Sequence, residues 1–394
     1  MPLIQVRPER FVAGGETLAR DVDGRVVFVR GGLPGELIDL HITEQKQDWS
    51  RGVAVGVHER SEHRVEPPCP HRVAGCGGCD WQHLSVPAQG DAKTDIVLDA
   101  LRRTAKLPDA NVVTGPSVPS AGYRTTIRVI GDRHGRAAYR REGSHDAVEA
   151  EGCLVADQRL RQVLESMLIT PDLEVTLRTS VATGEVTARW DVQSGEVAGL
   201  ADDVKVGPNA HLIEVVSGAT LRVSSGSFFQ SGPAAAELLV EAVQRAAPEL
   251  ACAGTVVDAY AGVGLFAAAA VRPEAFVITV ENSKSAVADC TVNMRGRTAL
   301  IVLSEFGRWR PSADVSVDVV IADPARTGLS KPGVATMAAI GAPVVVLVSC
   351  DPVALARDAQ LLQRAGYRHD GTEVLDLFPH THHVEAVTRF VRAD

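Results

Sequence analysis

The chain has no long apolar run. Stretches such as Val344–Val348 and Phe266–Val271 fall far short of the ~20 residues that span a bilayer, so no membrane segment is expected. The opening MPLIQVRPER lacks a charged region followed by an apolar one, so no signal peptide is expected and the expected compartment is the cytoplasm. An even set of cysteines is also missing. Seven are present, at 69, 76, 79, 153, 252, 290 and 350, and an odd number without a secretion signal does not make a disulfide framework. No internal repeat or low-complexity tract stands out. Overall positive charge is absent too: the formal net charge is −9, which offers no global attraction to nucleic acid, although a binding face is a local property.

What is present describes an ordinary globular protein, 45% hydrophobic and 23% charged, and 394 residues call for two or three domains. Between Tyr123 and Arg141 stand Arg124, Arg128, Arg133, Arg136, Arg140 and Arg141 against Asp132 alone. The stretch fits either an RNA contact surface or a solvated strand pair.

Residues 1–58 are short alternating runs punctuated by Gly14-Gly15, Asp23-Gly24, Gly31-Gly32 and Pro34-Gly35, a pattern that predicts a small β-barrel. The run GGETLAR…DGRVVFVRGGLPGE resembles a TRAM domain, an OB-like barrel appended to several RNA-modifying enzymes. Pro67-Pro68 opens a cysteine-containing loop, a helical pattern covers about 88–106, and strands alternate with turns from 121 to 225 around one helix at Asp157–Leu168. This is read as a central α+β domain. From about 233 helix and strand alternate. Phe276–Val280, Val317–Ile321 and Val344–Val348 are short and nearly all apolar, as strands buried on both faces of a parallel sheet are.

Within that part, VVDAYAGVGLFAAAAV (256–271) reads as a buried strand ending in Asp258, a turn through Gly262 and Gly264, and an Ala-rich helix. Ligands of open α/β sheets bind beyond such strand ends. The next strand ends in Glu281, where a carboxylate can accept hydrogen bonds from both ribose hydroxyls of a nucleoside. Position 267 is Ala, a departure from the dinucleotide fingerprint. D-x-Y-x-G-x-G with an acidic strand end looks like a class I S-adenosylmethionine-dependent methyltransferase.

Three later motifs bear on the chemistry. Asp323-Pro324-Ala325-Arg326-Thr327-Gly328 follows one apolar strand, Ser349-Cys350-Asp351-Pro352 ends another, and LDLFPHTHHVE (375–385) closes on Glu385. Taken singly, a cysteine at a strand end is more often a small buried hydrophobe than a nucleophile, and Glu385 or the three histidines could simply face solvent. In order and combination the motifs resemble the RNA uridine-5-methyltransferase family, and with the N-terminal region and the cysteines the resemblance covers nearly the whole chain. It implies Cys350 as the thiolate that adds to carbon 6 of a uracil and Glu385 as the base that removes the carbon-5 proton. It implies Asp323 at the cofactor–uracil junction, Gln230 of SFFQSG in the cofactor loop, and Tyr260 and Glu281 around the adenosine, with Gly262 and Gly264 in the turn beneath it.

The chain departs from that family's pattern at Asp351, Ala354, Leu347, Gly232 and Ala325. Asp351 places a carboxylate next to Cys350 and is expected to raise the thiol's pKa and slow its attack.

Cys69, Cys76 and Cys79 form C-x6-C-G-G-C, a spacing that suits zinc or an iron–sulfur cluster. The family resemblance supplies Cys153 as fourth ligand and implies a [4Fe–4S] cluster with a structural or RNA-folding role.

The expectations are therefore an α/β protein with a class I (Rossmann-like) methyltransferase domain over 229–394, an OB-like barrel over 1–58, and a central α+β iron–sulfur and RNA-binding domain over 59–228, whose helix near 88–106 may instead pack on the catalytic domain. The expected activity is methylation of uridine carbon 5 in structured RNA using S-adenosylmethionine, with 23S rRNA favoured over tRNA by analogy, in a monomer. The competing expectation is an RNA-binding protein whose methyltransferase domain has decayed. Methylation of a small molecule or protein would require neither the Cys350/Glu385 pair nor the TRAM-like region.

Overall fold

A computed structural model describes residues 3–312 and 314–393. Its largest element is an eight-stranded α/β sheet flanked by helices. In chain order its elements are α1 (Val86–Ala100), β1 (Val112–Ser117), α2 (Pro233–Ala246), β2 (Thr255–Ala259), α3 (Leu265–Ala269), β3 (Phe276–Glu281), α4 (Lys284–Asn293), β4 (Ala299–Leu303), β5 (Val319–Ala322), α5 (Ser330–Ile340), β6 (Val344–Ser349), α6 (Pro352–Arg364), β7 (Tyr367–Asp376) and β8 (Glu385–Arg392). The strand order is β4-β3-β2-β5-β6-β8-β7-β1. Strands β2 to β6 pair in parallel, whereas β8 is antiparallel to both β6 and β7. All six residues of β6 and all four of β5 are buried, which is why these segments are apolar without alternation.

Helix α1 and strand β1 fall inside 59–228 in sequence but pack here. Strand β1 extends the catalytic sheet by pairing with β7. Val97 and Leu101 of the α1 segment join the core formed with Val320, Val345 and Leu355. The helix ends in a π-helical turn at Leu101–Ala105, closed by Lys106 in the left-handed region.

The N-terminal segment forms a six-stranded sheet whose core includes Val27, Val29, Ile38 and Leu40. Between the two lies a second six-stranded sheet, with Asp157 capping helix Gln158–Ser166. The strand pair Thr126–Gly131 and Ala137–Arg140 leaves Arg128, Arg133, Arg136, Arg140 and Arg141 exposed. Arg128 and Arg141 each lie within 4 Å of a carboxylate, Glu174 and Asp146. Among the described residues no helix is long and apolar enough to cross a membrane.

One buried ion pair fastens α1 to the chain after β7. Lys93, with none of its side chain exposed, donates from Nζ to Asp376 Oδ1 at 2.5 Å and to Phe378 O at 3.2 Å. Removing one partner of a buried pair strands the other charge. Lys93→Ala is therefore expected to destabilise the protein by about 3–5 kcal/mol, read as a lowered thermal midpoint, while Lys93→Met combined with Asp376→Leu recovers most of the loss. Equal midpoints for the wild type and Lys93→Ala would contradict this role.

Candidate active site

Strand direction alone collects the site. The carboxyl ends of β2, β3, β5 and β6 lead into Tyr260, Glu281, Asp323 and Cys350 on one edge of the sheet. Because β8 runs the opposite way, its first residue, Glu385, lies at that same edge; the register pairs Ser349 with Ala386 and Leu375 with Glu385. The strand order reverses beside β2, the switch point at which open α/β sheets bind ligands.

The turn after β2 is shaped for a ligand. Tyr260 has φ of 60°, an uncommon state for a residue with a side chain. Gly262 has φ of 56°, and a Cβ there would meet nothing within 4 Å, so its open side faces free space. A Cβ on Gly264, by contrast, would come 3.0 Å from Cys290 Sγ; that cysteine packs beneath the turn. Glu281 Oε2 accepts from the amide of Gly262 at 2.9 Å and Oε1 from those of Asn282 and Ser283 at 2.8 and 2.7 Å, so it braces the turn while Oε2 keeps a free lone pair. Asp258 is fully buried. Its Oδ2 accepts from Ala267 N at 2.9 Å and its Oδ1 has no partner among the described residues. Burial, with Asp323 and Glu281 nearby, pushes its pKa up to about 7.

Gln230 donates to Asp323 Oδ2 at 3.2 Å, which ties the SFFQSG loop to β5. Burial lifts Asp323 to about 7. Burial also raises Glu385 well above the usual carboxylate range, with Asp323 adding to the effect. Two buried carboxyls in mutual contact do not both ionise readily, so the pair holds a proton near neutrality. Cys350 is half-buried, and its thiol is pushed up to about 12, first by burial and then by Glu385 and Asp323, with Arg326 opposing.

The expectation about Asp351 needs correction. Its carboxylate points into the helix, accepting from Ala354 N at 2.7 Å as the N-cap of α6, and the carboxylates that raise the Cys350 thiol are Glu385 and Asp323. Asn caps a helix as well as Asp does. The glycine at 232 also has a physical reason: a Cβ there would come 2.6 Å from the Tyr123 carbonyl. Leu347 is fully buried in β6, and nothing in the structure explains Ala325.

Several contacts around the site carry no local sequence signal. Gln89 accepts from His380 N at 2.6 Å, and Trp81 N donates to His380 O at 2.9 Å. The Tyr123 hydroxyl donates to Pro379 O at 3.1 Å. Arg178 donates to the carbonyls of Ser224 and Ser227, while Asp289 accepts from both serine hydroxyls, so the two sides of the Gln230 loop are held from different domains. Only Lys93 could have been noticed in advance, as a charge on the same helical stripe as Ile96 and Val97.

All four cluster-type cysteines, Cys69, Cys76, Cys79 and Cys153, line one cavity of about 610 Å³, together with Arg72 and Arg124. Burial raises the Cys76 thiol and pushes that of Cys79 up to about 11. Among the described residues no group of three or more His, Cys, Asp or Glu is placed to hold a metal ion.

No family model matches the chain. Compared with individual proteins, it is 33% identical over 411 residues to an uncharacterized RNA methyltransferase of Streptomyces avermitilis, covering 95% of this chain and 94% of that one. The chain belongs to the RNA methyltransferase family. The methyltransferase is also 29% identical over 410 residues to a 23S rRNA (uracil(1939)-C(5))-methyltransferase of Shewanella piezotolerans, covering 93% and 91% of the two chains. Among solved structures, the tRNA (uracil-54, C5)-methyltransferase of Pyrococcus abyssi, in complex with S-adenosyl-L-homocysteine, superposes with a TM-score of 0.74 at 23% identity, over 98% of this methyltransferase and 99% of that chain.

The electrostatics predict how the thiol reacts with an alkylating agent. With its pKa near 12, Cys350 is almost wholly protonated at pH 7.5, so its alkylation rate should climb about tenfold per pH unit up to pH 10 or beyond. An ionised Glu385 disfavours the thiolate, so Glu385→Gln removes that opposition, lowers the thiol's pKa and speeds alkylation at a given pH. Asp351→Asn should leave the rate unchanged. Peptide mapping of the alkylated protein separates Cys350 from the exposed Cys252; a slower Glu385→Gln protein would show the assignment of charges to be wrong.

Proposed function

We propose that the protein methylates carbon 5 of a uridine in structured RNA, using S-adenosylmethionine, through a covalent adduct at Cys350. The observation that carries this reading is the meeting of a thiol, Cys350, with two buried carboxyls, Glu385 and Asp323, at the ligand-binding edge of a methyltransferase sheet. Simple methylation of nitrogen or oxygen needs no thiol there. The same constellation speaks against the decayed-domain alternative, because a thiol and a carboxyl suited to the proposed roles stand together.

The cleft fits the proposed cofactor by charge. Glu281 and Asp323 stand at its edge, and beneath it Asp258 keeps a buried oxygen without a partner among the described residues, so a ligand bearing a sulfonium and an ammonium would offset this negative potential. When bound, S-adenosylmethionine supplies an electrophilic methyl group. Tyr260 and Glu281 would flank the adenosine, with Gly262 and Gly264 beneath it and Gln230 steadying Asp323. Carbon 5 of uracil is a poor nucleophile. Addition of the Cys350 thiolate to carbon 6 moves the ring's electron pair onto an enolate, and carbon 5 then attacks the methyl group, whose bond to sulfur breaks to leave the neutral thioether S-adenosylhomocysteine. Glu385 takes the proton from carbon 5, the carbon 6–sulfur bond breaks by β-elimination, and the sulfur leaves as thiolate.

We read the cysteine cavity as the seat of a [4Fe–4S] cluster. Four thiols line one cavity, a donor set that zinc and an iron–sulfur cluster both take, and the family resemblance favours the cluster. Cationic iron would also oppose the burial that raises the Cys76 and Cys79 thiols. Anaerobically purified protein should contain iron and acid-labile sulfide in equal amounts, about four of each per chain; zinc without sulfide would refute the cluster. The exposed arginines of the middle sheet would face RNA phosphates, and of the two substrates borne by the named relatives 23S rRNA is favoured over tRNA.

The reading is tested with RNA carrying tritium at uridine carbon 5, comparing rRNA and tRNA transcripts. Tritium release is expected from the wild-type protein and not from Cys350→Ala. Glu385→Gln should still form a denaturation-stable protein–RNA adduct yet release tritium at least about 100-fold more slowly. Binding of every RNA without release from any would move the assignment to the RNA-binding alternative.

A further inference from the structure

The cavity beside Cys350 has a wall supplied by the opposite end of the chain. This space of about 90 Å³ is lined by Cys350, Arg326, His382 and His383, and also by Ala13 and Gly14. The last two sit in the turn joining the N-terminal strands Arg10–Phe11 and Thr17–Arg20. That turn is fixed against the catalytic half. Trp81 Nε1 donates to Gly15 O at 2.8 Å, and the Phe11 ring packs 4.7 Å from the Trp81 ring. Gly15 has φ of 85°, and its missing Cβ would collide with His382 Cβ and lie 3.1 Å from Asp80 Oδ2. Asp80 in turn grips His382 twice, through Nδ1 at 2.7 Å and the backbone amide at 3.2 Å. Three distant segments therefore meet at one imidazole.

We propose that the Ala13–Gly15 turn and His382, held by Asp80, form the wall that seats a single extruded nucleotide against Cys350. The N-terminal sheet is then part of the reacting pocket, and His382 is a substrate-positioning residue. The inference rests on the reading of Cys350 as the group that attacks the target base. A target carbon inside a duplex is out of a nucleophile's reach, so its nucleotide must leave the stack and be received by a pocket. A turn of small residues lets a flat ring approach the backbone closely. With the Nδ1–H donated to Asp80, the neutral imidazole keeps Nε2 as an acceptor for a hydroxyl of that nucleotide.

The test uses full-length Gly15→Ala and His382→Ala proteins. Three quantities are compared with wild type: KM for the RNA, the rate of covalent adduct formation with 5-fluorouridine-substituted RNA, and the calorimetric Kd for S-adenosylmethionine. Displacement of a positioning wall should raise the RNA KM or slow adduct formation about tenfold or more, with the cofactor Kd within about twofold of wild type. His382→Ala introduces no backbone strain and keeps the test decisive if Gly15→Ala fails to fold. Wild-type values in His382→Ala overturn the proposal, as does a loss of cofactor affinity that parallels the loss for RNA, since that marks general loosening. If the wild-type protein forms no adduct, the Cys350 reading falls and takes this inference with it; a normal wild-type adduct, with both its rate and the RNA KM unchanged in the variants, overturns this inference alone.

Discussion

The site depends on one antiparallel strand in an otherwise parallel run. Strands β2, β3, β5 and β6 can deliver only their carboxyl ends to the ligand edge, so what they contribute stands at the last residues of a strand or in the loop just after it. Strand β8, inserted between β6 and β7, points the other way and delivers its amino end. That is how Glu385 comes to face Cys350 across a strand pair whose register places Ser349 opposite Ala386. A parallel β8 would carry Glu385 to the far edge of the sheet. The cleft chemistry is therefore a consequence of topology before it is one of side chains.

The loop that feeds β8 needs holding, because residues 377–384 cross between strands with little regular structure of their own. The fastenings are polar and buried: Lys93 on Asp376 and Phe378 O, Gln89 on His380, Tyr123 on Pro379 O, and Asp80 on His382. Each backbone group tied in this way avoids the cost of an unpaired buried donor or acceptor. The cysteine-bearing segment is part of this bracing, since Asp80 and Trp81 directly follow Cys79. A change in the fold of that segment would be felt at the catalytic loop through two residues.

Much of this was legible in the sequence, and the boundary has a physical cause. The unbroken apolar runs announced β3, β5 and β6, and the Asp258–Gly264 segment announced the ligand turn, because both signals are local. The residues drawn from Gln230, Tyr260, Glu281, Asp323, Cys350 and Glu385 do gather at one edge. What sequence could not show was the reach of contacts between distant segments. Lys93 and Asp376 are 283 positions apart, and strand β1 joins the catalytic sheet although the chain then leaves to build a separate sheet before returning. The misjudged Asp351 teaches the same point at short range: adjacency in sequence suggested that its charge acts on Cys350, whereas the helix N-terminus claims the carboxylate and turns it away.

The proton inventory of the cleft gives a reason for the thiol's restraint. Cys350, Glu385, Asp323 and Asp258 all hold their protons more tightly than they would in water, each chiefly because burial disfavours its charge. A thiolate formed there would stand near two carboxyls and be poorly stabilised, so the sulfur stays protonated at neutral pH. A thiol of raised pKa is, however, the stronger nucleophile once ionised. A cationic ligand in the cleft favours the ionised forms of the acids around it and opposes the burial that masks the sulfur. A positively charged partner would therefore act on the sulfur and on the acids in the same direction, by offsetting the burial that disfavours their charged forms.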